Sequence, residues 1–201
     1  PWAVRNTVVF HRLVPLSTQA GITLAGSYND VSRTDPSYPS AWRPPTMAPY
    51  RSLLRPGKSE AAIEASFTSK VVAYIENHPA YPLRVGFYNS LRLLDLLGSS
   101  VEHAPARESG IGNTTSDLDV YSFYVLAAAA IAAVALGALR RAPIFIWFVP
   151  ILLALSLVFA IAYMRYRFPI DPFLVLLVAA GIEAARRRSA VVCLLYTSPS
   201  P

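Results

Sequence analysis

The chain has 201 residues, of which 54% are hydrophobic and only 15% charged, with a formal net charge of +6. A soluble domain carries about a quarter charged residues, so this composition argues against an ordinary soluble enzyme. It also argues against a nucleic-acid binder, because the cations form no single stripe: several stand just outside apolar runs, as Arg140-Arg141 and Arg186-Arg187-Arg188, where membrane proteins carry their topology signals.

In chain order, residues 1–12 mix Trp2, Val4, Val8, Val9 and Phe10 with Arg5, Asn6 and Arg12. They read as the end of a preceding membrane helix with Trp2 at interface level. Residues 13–120 read as an extracytoplasmic region of helix and loop. Within it, Val14 to Leu24 is broken by Pro15 and Gly21 and is expected to be extended. Residues 33–57 are expected to be loop, because Pro36, Pro39, Pro44, Pro45, Pro49 and Pro56 prevent regular helix or a central strand. The aromatic residues Tyr38, Trp42 and Tyr50 suggest that this loop packs on something.

Ser59 is a natural N-cap, and Glu60 suits the first turn of a helix. Ile63, Phe67, Val71 and Tyr74 then recur at helical spacing, which predicts an amphipathic helix over about 59–77, ended by His78-Pro79. A second amphipathic helix is predicted over about 79–97. Its apolar face would be Leu83, Phe87, Leu91, Leu94 and Leu97, and Arg84, Tyr88, Arg92 and Asp95 would lie opposite; Gly98 would end it. Such a helix could lie on a membrane surface or cover a core. Residues 98–118 read as polar loop, and Asn113-Thr114-Thr115 fits a glycosylation sequon, a pattern too common to carry weight.

Three membrane helices are expected in residues 121–190. The first, 121–139, has no charge and would span ~28 Å, near the hydrocarbon thickness; its alanines suit close helix packing. The second, 143–163, would span ~31 Å with Pro150 inside it. The third, 169–185, is short and contains Glu183. Arg140-Arg141 and Arg186 to Arg188 are separated by two crossings and so share a side. The positive-inside rule makes that side cytoplasmic and turns residues 13–120 and 164–172 outward. The fold class expected is thus an all-α, multi-pass membrane protein of the plasma (inner) membrane. Residues 193–201, Cys193 to Pro201, read like a translated sequencing adapter, so native sequence is expected to stop near Val192 and the single cysteine carries no redox meaning.

The outward turn, Met164-Arg165-Tyr166-Arg167-Phe168-Pro169-Ile170-Asp171-Pro172, places two arginines on the side that charge bias disfavours. Arginine offers phosphate a planar, permanently charged donor fork. The same arginines beside Tyr163 and Tyr166 could instead anchor the chain at the interface. Asp30, Asp35, Asp117 and Asp119 read as solvated loop residues, and Asp171 as a residue that orients Arg167. His11, His78 and His103 are too scattered to suggest a metal site, and no Gly-rich loop is present to cradle a nucleotide.

Pro1-Trp2-Ala3-Val4-Arg5-Asn6, then Val14-Pro15-Leu16-Ser17-Thr18, resembles the stretch that follows a membrane helix in bacterial family 39 glycosyltransferases, relatives of protein mannosyltransferases and of the aminoarabinose transferase of lipid A. The run Arg165-Tyr166-Arg167-Phe168-Pro169-Ile170-Asp171-Pro172 resembles one near their C-terminal end, and His78-Pro79 fits between. The resemblance implies the all-helical GT-C membrane fold and sugar transfer from a polyprenyl-phosphate donor at the extracytoplasmic face. The acceptor, whether protein, lipid or glycan, is left open. It implies a catalytic carboxylate in a first outer loop, expected upstream of Pro1, so that this piece alone would be inactive. It implies that Arg165, Tyr166 and Arg167 meet the donor phosphate and that Arg5 and Asn6 line the same cavity. The alternative is a non-enzymatic membrane assembly or transporter subunit with a partner-binding outer region.

Overall fold

The structure is a computed structural model, and it describes residues 2–11, 19–44, 46, 50–54, 57–98, 101, 103, 106–107, 110–140, 143 and 145–197. Among them regular structure is helical, with no strand. The helices are α1 (Trp2–Phe10), α2 (Ala20–Ser27), α3 (Asp30–Thr34), α4 (Glu60–Asn77), α5 (Tyr81–Leu93), α6 (Asn113–Ala135), α7 (Phe145–Val158) and α8 (Asp171–Thr197). The chain divides into two compact units. One is Pro1–Leu94 with Leu157–Ala162; the other is Asp95–Ser156 with Tyr163–Pro201.

In the first unit, α4 begins where Ser59 accepts a hydrogen bond from the Ala62 N–H, one of the donors a helix start leaves unpaired. Phe67 and Val71 are buried, with Ile63 and Tyr74 partly so, in a core shared with Ala25, Tyr28, Tyr50, Tyr81 and Val85. α2 lies against α4 so closely that a Cβ at Gly21 would come within 2.9 Å of the Glu64 carbonyl and the Thr68 N–H. The extended segment expected over Val14 to Leu24 is therefore helical from Ala20 onward, because Gly21 is used for helix contact; residues 12–18, with the Val14 to Thr18 motif, lie outside the described residues. The proline-rich stretch contains a 3-10 turn at Tyr50–Leu53, held from its aromatic side: Tyr50 is buried and its hydroxyl donates to the Tyr28 carbonyl at 2.8 Å. Trp42 packs on Gly26, where a Cβ would overlap the indole, and its N–H donates to the Thr23 carbonyl at 2.9 Å.

α5 forms within the expected range, ending at Leu93 rather than near residue 97, and of the two expected faces the polar one, on the side of Arg92, is buried in the protein. Tyr81, Val85, Asn89, Arg92 and Leu93 are buried, while Leu83 and Phe87 are 72% and 61% exposed. The polar members of the buried face are satisfied by distant backbone. Asn89 Nδ2 donates to the Val158 carbonyl at 3.0 Å, and Arg92 Nη2 to the Pro39 carbonyl at 2.5 Å. Val158 is the last residue of α7, and the carbonyls of the two residues after it are also taken, by the Tyr28 hydroxyl at 3.0 Å and the Ser27 hydroxyl at 2.6 Å. These donors satisfy carbonyls that a helix end exposes, and α7 stops here rather than running to residue 163.

In the second unit, α6 starts at Asn113, eight positions before the expected Tyr121, so Asp117 and Asp119 lie on a helix and not in a loop. It is long and apolar enough to cross a membrane. α7 is shorter, and Pro150 lies within it. α8 continues past Ala185 through the arginine cluster to Thr197, as the absence of Gly or Pro between Gly181 and Thr197 permits. α6 and α8 meet at small residues: Ala130, Ala133 and Leu177 are buried together, and a Cβ at Gly181 would overlap Ala133.

Candidate functional site

The turn that enters α8 carries the expected Arg165, Tyr166 and Arg167, and the two arginines are used differently. Arg165 is exposed. Its guanidinium lies 5.7 Å from the Tyr163 ring centroid and 5.1 Å from that of Tyr166, and it donates to the Tyr166 hydroxyl at 3.3 Å. The two rings stand roughly parallel, 6.2 Å apart. Aromatic faces favour a cation at these distances, so the rings hold the arginine at the surface.

Arg167 departs from the expectation of a second outward arginine. Its side chain is 3% exposed and lies among three carboxylates. Nη1 donates to Asp95 Oδ2, Nη2 to Asp119 Oδ2 at 3.1 Å, and Nε lies 3.4 Å from Asp171 Oδ1. The guanidinium also lies 3.7 Å above the Phe123 ring centroid. The cluster draws on three places in the chain: Asp95 just after α5, Asp119 and Phe123 one helical turn apart on α6, and Arg167 with Asp171 at the start of α8, i and i+4. Asp95 is fully buried, adopts a left-handed backbone with φ of 53°, and accepts the Tyr124 hydroxyl on its carbonyl at 2.5 Å.

One arginine against three aspartates would carry a net charge of −2 if every group were ionised. Burial pushes the Asp95 carboxyl up; Asp119 and Asp171 push it the same way, and Arg167 pulls against them. Its Oδ1 is buried with no hydrogen-bond partner among the described residues. The arginine occupies the place between carboxylates that a cation would take, and among the described residues no group of three or more metal-ligating side chains is arranged to hold an ion.

The expected cavity residues Arg5 and Asn6 lie in the first unit. Arg5 is exposed on α1, 5.5 Å over the Trp2 ring, and Asn6 is buried. Asp171 touches Arg167 as an orienting residue would. Asp95 and Asp119 carry no sequence signal for this cluster: Asp95 reads as the polar face of a helix and Asp119 as a loop residue. No family model matches the chain, and no characterised protein or solved structure is significantly similar to it.

Proposed function

We propose that this chain is part of a multi-pass membrane glycosyltransferase that takes a sugar from a polyprenyl-phosphate donor at the extracytoplasmic face. The observation that carries the reading is the exposed Arg165, steadied between Tyr163 and Tyr166 at the mouth of a helix. A leaving lipid phosphate needs a permanent cation of this kind at the membrane surface. Arg165 and Tyr166 meet the phosphate. Arg167 fixes the turn from beneath, through Asp95, Asp119 and Asp171, so that Arg165 does not have to be ordered when the donor arrives.

The test is transfer of a labelled sugar from a polyprenyl-phosphate donor by membranes carrying the complete gene product. Arg165→Gln should lower transfer on the order of tenfold to a hundredfold, the loss of one to two charge-assisted bonds, with insertion unchanged. Arg165→Lys should retain part of the activity. Transfer by Arg165→Gln at the wild-type rate would overturn the assignment.

A second reading, a subunit that docks a partner through its outer region, is favoured by one observation: Leu83 and Phe87 are exposed side by side on α5. It predicts that Phe87→Asp abolishes assembly while Arg165→Gln has no effect.

A further inference from the structure

A cleft of about 430 Å3 opens in the first unit, lined by Arg33, His78, Pro79, Ala80, Tyr81 and Arg84. No part of the transferase reading uses it. Its volume falls in the range of small-molecule sites, and three of its six lining residues carry or can carry positive charge.

The cations are built in, each in its own way. Arg33 comes from α3, and its guanidinium is already oriented: Nε donates to the Tyr74 hydroxyl at 2.9 Å and Nη2 to Asp30 Oδ1 at 2.9 Å. Neither bond uses Nη1, which leaves donors of the planar fork for a ligand. His78 lies at the end of α4. Its Nδ1 is 3.1 Å from the Tyr74 carbonyl, which can only accept, so Nδ1 carries a proton and Nε2 is the nitrogen left for the cleft. The imidazole stacks on Tyr74 at 4.5 Å, which fixes its plane. Arg84 stands one turn into α5, exposed, 5.7 Å over the Tyr88 ring, and in no ion pair among the described residues. The floor is rigid: Tyr81 is buried and its hydroxyl donates to the Ser27 carbonyl at 3.0 Å. Burial pushes that hydroxyl up, and Arg33 and Arg84 line the same cleft beside it.

Asp30 pairs with Arg33, and Arg84 is not balanced by a carboxylate of the cleft lining, so the cleft keeps a positive surplus. Forked guanidiniums on a rigid aromatic floor suit a tetrahedral oxyanion better than a single carboxylate, because several oxygens can be met at once. We propose that this cleft is a phosphate-binding site, taking the phosphoryl group of a small ligand or of a lipid headgroup through Arg33 and Arg84, with His78 beside it. The site is independent of sugar transfer and can stand or fall without it.

The experiment uses the full chain in nanodiscs. In neutral phosphatidylcholine discs at constant ionic strength, inorganic phosphate is titrated against chloride by calorimetry. In a second arm, phosphate is omitted and phosphatidylglycerol is mixed into the discs, with thermal unfolding as the readout. Arg84→Gln is the decisive variant, since Arg84 is exposed and its folding role is small; Arg84→Lys keeps the charge without the fork; Arg51→Gln changes an exposed arginine outside the cleft. Saturable binding of inorganic phosphate, weakened about tenfold or more in Arg84→Gln and less in Arg84→Lys, supports a soluble phosphorylated ligand. Stabilisation by phosphatidylglycerol alone, lost in Arg84→Gln and kept in Arg51→Gln, supports a lipid headgroup. No effect of either anion, or an equal effect on all four proteins, overturns the proposal.

Discussion

Arg167 is worth more to the fold than any one of its acidic partners. Removing a buried cation from among three carboxylates leaves like charges facing each other out of water, a change of the kind that costs about 3–5 kcal/mol. Removing Asp95 leaves the guanidinium two other carboxylates and also relieves repulsion, so Asp95→Ala should cost less, about 1–3 kcal/mol for one unmet donor. Denaturant unfolding of the two single variants tests that order, and a larger loss in Asp95→Ala would refute the account of the cluster. The sign of the pH dependence follows from the raised Asp95 carboxyl. Its stabilising share is present at low pH, where it is protonated, and is lost as pH rises through its folded value. The wild type should therefore gain stability relative to Asp95→Asn as pH falls toward about 4, the ordinary Asp value. Little of this cluster was legible in the chain. Arg165-Tyr166-Arg167 stands out as a pair of cations, but nothing local says that one turns inward, because the carboxylates that receive it come 72 and 48 positions earlier.

At the scale of the helices, α4 was readable and α5 was readable only as a helix. Ser59 and the stripe of Ile63, Phe67, Val71 and Tyr74 act locally, and the helix forms and packs as that stripe demands. α5 buries Asn89 and Arg92 because the carbonyls of Val158 and Pro39, far away in sequence, accept from them. A buried polar group is tolerated once it is bonded, and periodicity, which ranks residues by their apolar character alone, finds the two faces but not which of them the protein covers. The start of α6 was hidden for a similar reason: Asp119 looks like a loop residue until Arg167 is known to meet it. The contact between α6 and α8 makes a sharper test. A Cβ at Gly181 would overlap Ala133, and both partners are helix backbone that can only move apart. Gly181→Ala should cost about 1–3 kcal/mol, the range for overpacking, despite the gain in helix propensity. Gly112→Ala, where an added Cβ meets nothing within 4 Å, is the control and should be near neutral. Equal melting of the two variants would mean that α6 and α8 are not in this contact.

For the whole molecule, the proposed multi-pass topology makes a demand on each apolar helix that its length can be held against. α6 spans about 35 Å at 1.5 Å per residue and is sufficient by itself. The helical part of α7 spans only about 21 Å, short of the ~30 Å of hydrocarbon. The rest of a second crossing would fall to Phe159–Tyr163, which is not helical. Irregular backbone at membrane depth is permitted only where its polar groups are met by protein. Here the carbonyls of Val158, Phe159 and Ala160 are met, by Asn89, Tyr28 and Ser27. A short helix continued by a protein-shielded segment can therefore serve as a second crossing, and the proposed topology, with Arg140-Arg141 and Arg186 to Arg188 on one cytoplasmic side, requires one. Single cysteines on a Cys193→Ser background decide the matter. In intact cells an impermeant maleimide should label Ser69→Cys and Phe168→Cys, and should label Leu139→Cys only after permeabilisation. If Phe168→Cys is also labelled only after permeabilisation, α7 does not cross. Arg165 would then face the cytoplasm, and a donor phosphate on the outer face could not reach it.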